Sequence, residues 1–554
     1  MPTDVARMGS FKLGTYESAI HDRLAKWADE DMGRRIWEKD FTVWSPDEMP
    51  EIEDRIGWLD LPERMSAEIG PIRVFAEEIK DQGFTHVVLL GMGGSSLAPE
   101  MFRAIFGSAP DYPDLTVLDS THPDRIAAVE SALDIKATLF VVSSKSGTTI
   151  ESLSLMRYFY ERVAKVCDAP GLHFVAVTDP GSPLEDLART LRFRNVFSAR
   201  PDVGGRYSAL THFGLVPAAL MGLDIGVLVS RARSMAVTCA IAAPEDDNPG
   251  LVLGAILGEL ALAGRDKITF VTSPSLSSFP LWLEQLIAES TGKDGKGIIP
   301  IVGEDLSEPG ICGEDRFFVY VALASEADKQ VLDRLDELEA KGHPVIQFIL
   351  RDKEDIAVEI FRWEMAVASA GAILGIHPFN QPDVELAKQL ARDMMAGKAK
   401  AGAAGGVKAD AGADLEGALK KILAKPGAGS YVAIQAFIAA DKETEKKLEA
   451  LRMALRNRMK LAVTTGFGPR FLHSTGQLHK GGPDKGIFIQ VLDSPAKDLD
   501  VPEANHSFGK LIAAQAAGDF QALEKKGRRV LSIDLGKNAS KGLDKIEAAV
   551  KKAI

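Results

Sequence analysis

Short, continuous apolar runs alternate along much of this chain with longer stretches whose apolar positions recur at helical spacing. The runs at 87–90, 115–118, 138–142, 174–177 and 268–271 each end in turn residues. Unbroken apolar runs separated by amphipathic segments predict parallel strands buried on both faces and joined by crossover helices. The expected fold is therefore α/β, with doubly wound parallel sheets whose ligands sit beyond the carboxyl ends of the strands. A later set of runs, at 317–323, 345–350, 432–438, 487–492 and 530–535, predicts more of the same architecture.

Residues 1–80 lack this pattern and read as a charged, Trp-bearing helical segment, with helices expected at 18–32 and 61–81. Residues 81–240 are expected to form a first sheet domain and 241–554 a second. In the latter half, the stretch from Val319 to Leu350 resembles the stretch from Val432 to Val463. Each has an apolar run, an Ala-Asp-Lys turn (Ala327-Asp-Lys, Ala440-Asp-Lys), a charged helix and another apolar run. This predicts one strand–helix–strand unit used twice. Between the copies, 396–429 is rich in Ala, Gly and Lys and reads as a flexible stretch.

A chain of 554 residues exceeds one hydrophobic core and calls for two or three domains. Hydrophobic residues at 46% and charged residues at 26% are ordinary for a globular protein. The net charge of −13 removes the positive footprint that nucleic-acid binding requires. Cys167, Cys239 and Cys312 are too few and too scattered for a disulfide framework or a zinc site. Neither a signal peptide nor a bilayer-spanning run is visible, so the expected compartment is the cytoplasm.

Two strand ends carry anion-binding chemistry. The run 87–90 opens into Gly91-Met-Gly-Gly-Ser-Ser-Leu-Ala-Pro99, where Gly94 and Ser95 offer backbone and hydroxyl donors. The dinucleotide pattern G-x-G-x-x-G fails at its last position, Ser96. The run 138–142 opens into Ser143-Ser-Lys-Ser-Gly-Thr-Thr-Ile-Glu151. Five hydroxyls with the Lys145 ammonium and a glycine suit a phosphomonoester, which takes many charge-assisted bonds. Helix capping would use one or two of these hydroxyls, not all. No Walker A loop is present.

Further on stand Gly204-Gly-Arg206-Tyr-Ser, Gln285-Leu-Ile-Ala-Glu289-Ser-Thr-Gly-Lys293, Gln381-Pro-Asp-Val-Glu-Leu-Ala-Lys388 and Gly468-Pro-Arg-Phe-Leu-His473-Ser-Thr-Gly. With the two cradles, these segments resemble the phosphoglucose isomerase family, over residues 91 to 482. The chain is most similar to the isomerase portion of fused transaldolase–phosphoglucose isomerases. The resemblance implies two sugar-isomerase (SIS-type) domains and interconversion of glucose 6-phosphate and fructose 6-phosphate, a step of glycolysis and gluconeogenesis, with neither metal nor cofactor. It implies Gly94, Ser95, Ser144, Lys145, Ser146, Thr149, Gln285 and Gln381 as substrate-binding residues. Glu289 becomes the base that moves a proton between C2 and C1 through a cis-enediol(ate), and Arg206 the cation that stabilises it. Lys388 and His473 become the ring-opening pair. Gln381 and Lys388 are expected on one face of a helix starting after Pro382.

The histidine motif departs from the family, in which it precedes the Gln–Lys helix; here the order is permuted. In the family the histidine comes from the partner subunit, which implies a homodimer with shared sites. His479 and His506 are competitors for the role. A non-catalytic phosphosugar sensor, another aldose–ketose isomerase and a nicotinamide-dependent oxidoreductase are the other readings, and a sensor would not need Glu289, Lys388 and His473 together.

Overall fold

The computed structural model describes residues 9–304, 306, 309–395 and 406–554. A short edge strand, β1 (Ser10–Lys12), precedes the helices Glu17–Asp29, Met32–Trp37, Leu61–Met65 and Ile69–Asp81. The N-terminal segment is thus helical as expected, apart from β1. Its tryptophans do packing work: Trp58 is fully buried and stacks on Tyr207 at 5.3 Å between centroids.

The first sheet holds β2 (His86–Gly91), β3 (Asp114–Leu118), β4 (Thr138–Ser143), β5 (Phe174–Thr178) and β6 (Asn195–Ser198). Its spatial order is β3-β2-β4-β5-β6, all parallel. Every residue of β4 is buried, which explains its unbroken apolar run. Successive strands run outward in opposite directions from β2, so the switch point lies between β2 and β4. There Gly91 pairs with Ser143, and the two cradle loops leave the sheet side by side.

The stretch 241–554, expected to be one domain, carries two sheets. The second sheet comprises β7 (Lys267–Thr272), β8 (Ile299–Ile301), β9 (Arg316–Leu323) and β10 (Val345–Leu350), in the order β8-β7-β9-β10, closed by antiparallel β1. The third comprises β11 (Val407–Lys408), β12 (Tyr431–Phe437), β13 (Ala462–Phe467), β14 (Gly486–Leu492) and β15 (Arg529–Asp534), in the order β13-β12-β14-β15-β11. One core spans the N-terminal helices and the first two sheets, while the third sheet has its own, built on Val432, Leu451 and Ile489.

The expected repeat is corrected by this topology. The two similar stretches do form parallel strand–helix–strand units, β9–β10 and β12–β13. They occupy different places, however: β13 is an edge of the third sheet with β12 beside it, whereas β9 and β10 are both interior to the second. The counterpart of β12–β13 is β7–β8, so the repeated object is the whole sheet. Within 396–429, residues 407–408 form β11 and Ala413–Leu423 forms a helix with Leu415, Leu419 and Leu423 buried, so this part is structured. A short helix around Leu415–Leu423 is the alternative reading of this stretch, and the structure has it. Residues 396–405 lie outside the described residues.

Candidate active site

The first cradle meets the Arg206 loop through glycine. Gly93 has φ +56, which favours a residue without a side chain. A Cβ on Gly94 would stand 2.0 Å from the carbonyl oxygen of Gly205, so only glycine lets the 91–96 and 204–208 loops touch. That contact brings Arg206 to the mouth of the first sheet. Arg206 is buried, and its Nη2 donates to the carbonyls of Phe379 and Asn380, both at 2.8 Å.

Gln285 and Glu289 lie four residues apart on the helix Phe279–Thr291 and so share a face. Gln285 Nε2 donates to Glu289 Oε2 at 3.0 Å and to the carbonyl of His473 at 2.9 Å. Glu289 Oε1 stands 3.4 Å from Arg206 Nη1. A carboxylate is thereby held beside a guanidinium, while one amide ties it to the histidine turn.

His473 closes the short turn Arg470–His473 that follows β13. Its Nε2 lies 2.9 Å from Glu151 Oε1, and Glu151 also accepts from Gln515 Nε2 at 2.7 Å. Burial opposes the charge of Glu151, but His473 beside it wins and holds the carboxyl below its usual range. In the sequence Glu151 stands as the last residue of the phosphate motif and as a reserve candidate, with Glu284, for the base; Gln515 gives no signal, since a glutamine inside an Ala-rich helix has no motif of its own. The histidine is thus supplied by the third sheet of the same chain.

These groups line one cavity of about 860 Å³. Glu289, Arg206, His473, Lys388, Gly94, Ser95, Lys145, Ser146, Thr149, Gln285 and Gln381 all face it. Ser144 does not: it is buried and bonded through its hydroxyl to Thr149 Oγ1 at 2.9 Å, one layer behind the cradle. Lys145 Nζ is 2.5 Å from Asp179 Oδ2. Burial pulls its amine below the usual lysine range, and Asp179 only partly offsets this. The helix Ile150–Ala164 points its N-terminus at the cavity through Thr148, Thr149 and Ile150, adding the positive end of its dipole.

The Gln–Lys segment differs from expectation. Its helix begins at Glu385, so Gln381 lies in the preceding turn rather than on the helical face. The Asp383 N–H donates to Gln477 Oε1 at 2.9 Å, and Lys526 binds Asp383 Oδ1 at 2.5 Å. These tertiary bonds hold 381–384 outside the helix. Gln381 Oε1 instead stands 3.4 Å from Arg206 Nη1. Lys388 Nζ pairs with Glu385 at 2.9 Å on the cavity wall.

The competing histidines separate. His479 is buried, packs on Phe488 at 5.0 Å and bonds Gln435, and burial drives its pKa well down. His506 reaches the far end of the cavity, where its Nε2 lies 3.2 Å from Ser154 Oγ. Among the described residues, no group of three or more His, Cys, Asp or Glu side chains is placed to hold a metal ion, and no helix is long and apolar enough to cross a membrane.

Residues 73–299 match the family model "Phosphoglucose isomerase". The glucose-6-phosphate isomerase of Staphylococcus saprophyticus is 30% identical over 385 residues, covering 61% of this chain and 86% of that protein. A probable glucose-6-phosphate isomerase of Methanococcus maripaludis is 26% identical over 356 residues, covering 57% of this chain and 80% of its own length. Among solved structures, a hypothetical protein from Thermus thermophilus superposes with a TM-score of 0.60 at 25% identity, over 70% of this chain and 100% of that one. A glucose-6-phosphate isomerase from Chlamydia trachomatis shares the fold, with a TM-score of 0.58 at 18% identity, over 72% of this chain and 95% of that one.

Proposed function

The chain belongs to the phosphoglucose isomerase family, and on that footing we propose that its cavity interconverts glucose 6-phosphate and fructose 6-phosphate by proton transfer. The observation that carries the reading is the placement of Glu289, Arg206 and His473 around one cavity whose other end is a phosphate cradle. The phosphate sits against Ser95, Ser146, Thr149 and the helix dipole, with Lys145 moving from Asp179 to meet it and Ser144 fixing Thr149 from behind.

His473 and Lys388 open the ring by passing one proton to O5 while one leaves O1. Glu151 holds His473 in place and balances the extra proton when the imidazole carries it. Glu289 then takes the C2 proton, giving a cis-enediolate whose oxygen charge meets Arg206, and returns the proton to C1. No redox partner or metal enters this cycle, because the carbonyl moves by proton transfer alone. Arg206 and Gln381 together set the position of the segment that leads to Lys388. The reading makes one chain a complete catalytic unit, places the enzyme in the cytoplasm where phosphosugars are made and used, and assigns it a step of glycolysis and gluconeogenesis.

The direct test is a coupled assay that converts fructose 6-phosphate and detects glucose 6-phosphate, with EDTA present. Turnover that survives chelation supports the reading. Activity that vanishes in EDTA and returns with a divalent ion contradicts it.

A further inference from the structure

The cavity extends well past the groups that act on the sugar. From the cradle it follows the helix Ile150–Ala164, whose Thr149, Glu151, Ser154 and Arg157 meet it in turn. At 1.5 Å per residue, Arg157 lies about 12 Å along the axis from Thr149. Another wall is the helix Glu385–Met395, which lines the cavity along its length, from Glu385 to Met395. A volume of about 860 Å³ stands near the top of the roughly 300–1,000 Å³ range of ligand pockets. A hexose monophosphate, smaller than a drug-sized ligand, leaves this far end unfilled.

The far end is cationic. Arg157 makes no ion pair and no hydrogen bond among the described residues, although it lines the cavity. Its charge acts on His506, whose ring stands beside Ser154. Arg392 faces the same space, and it and Lys388 share one carboxylate, Glu385, at 3.5 and 2.9 Å. Glu151, the other nearby carboxylate, is engaged by His473 and Gln515. Burial and the Arg157 charge lower the pKa of His506, which leaves a neutral ring beside Ser154 as a hydrogen-bonding group. An uncompensated guanidinium inside a cavity, flanked by a hydroxyl and an imidazole, is a place for phosphate oxygens.

We propose that this far end, formed by Arg157, Ser154, His506 and Arg392, is a second anion subsite that takes the outer phosphate of a sugar bisphosphate. The first phosphate of the same ligand occupies the Ser146–Thr149 cradle, so the proposal rests on the isomerase reading for that anchor. A ketose phosphorylated at C1 keeps its C2 carbonyl but has no free 1-hydroxyl to become the aldehyde, so isomerisation cannot be completed. It therefore acts as a competitive inhibitor that spans both anion sites and binds more tightly than the monophosphate.

The test is calorimetric binding of fructose 1,6-bisphosphate and of fructose 6-phosphate to the intact chain and its variants. The bisphosphate is expected to bind at least tenfold tighter. Arg157→Ala should weaken the bisphosphate about ten- to a hundredfold, the range for losing a charge-assisted bond, and the monophosphate by no more than about threefold. Arg157→Gln, which keeps the stem, should show the same split and guards against a folding defect in the alanine variant. Lys145→Ala should weaken both ligands. Bisphosphate binding that is no tighter than monophosphate binding, or that is indifferent to Arg157, overturns the subsite. Absence of turnover, together with monophosphate binding indifferent to Lys145, counts against the isomerase reading, while the Arg157 dependence of bisphosphate binding still decides the subsite.

Discussion

Replacing Glu151 by glutamine tests whether the third sheet delivers a working catalytic group. Glutamine keeps the size of the side chain and an acceptor for His473 Nε2 but removes the charge. The side chain is buried, with the His473 contact at 2.9 Å and the Gln515 contact at 2.7 Å. A unit pair about 4 Å apart at an effective dielectric of about 20 attracts by about 4 kcal/mol, which sets an upper bound. The charge-assisted part of the hydrogen bond alone is about 1–2 kcal/mol, which sets the lower. Ring opening should therefore slow by roughly 10- to 10³-fold in Glu151→Gln. Interconversion of the α and β anomers of glucose 6-phosphate requires ring opening but no proton transfer at carbon, and exchange NMR follows it above the spontaneous rate. Glu151→Gln should slow anomer interconversion and isomerisation together. A variant that keeps both within threefold, or loses isomerisation while keeping anomer interconversion, refutes the assignment of Glu151 and His473 to ring opening.

Two further expectations follow from the same geometry. Mixing inactive Glu289→Gln with inactive His473→Ala should restore no activity, because both residues line the cavity of one chain; recovery on subunit exchange would show a shared site. Burial pushes Glu284 up to about 7, with Ser474 and Arg470 offsetting only part of it. The folded state then holds a proton that the unfolded chain has released, so stability should fall by up to about 3 kcal/mol as pH rises from about 4.5 through 7. Glu284→Gln should flatten that decline in urea titrations between pH 5 and 8, and an unchanged profile would contradict the buried-acid assignment.

Much of this molecule was legible in its sequence because local patterns carry strand and loop identity. The continuous run ending at Ser143 gave β4, and the hydroxyls after it gave the cradle. What escaped depended on contacts between distant segments. Nothing near Glu151 announces Gln515, 364 residues away. The helix at Glu385 starts later than Pro382 suggested because Gln477 and Lys526, both far along the chain, hold Asp383. The two similar strand–helix–strand stretches look like copies, yet their places in the sheets differ, and only pairing partners reveal that β12 and β13 belong to a third sheet. The expected permutation of motifs has a simple outcome in three dimensions: the late histidine turn follows a strand of that third sheet and reaches the cavity from within the chain.

The central claim is that Glu289 carries the proton between C2 and C1. The most direct measurement is isomerisation in D₂O, with deuterium at C2 of glucose 6-phosphate read by NMR, for the wild type and Glu289→Gln. Glutamine keeps the bond to Gln285 but cannot accept a proton from carbon. The account predicts deuterium incorporation by the wild type. For Glu289→Gln it predicts no incorporation, a kcat lower by roughly 10²–10⁴-fold, little change in KM and intact anomer interconversion. Near-normal turnover with deuterium still entering C2 in the variant would contradict it.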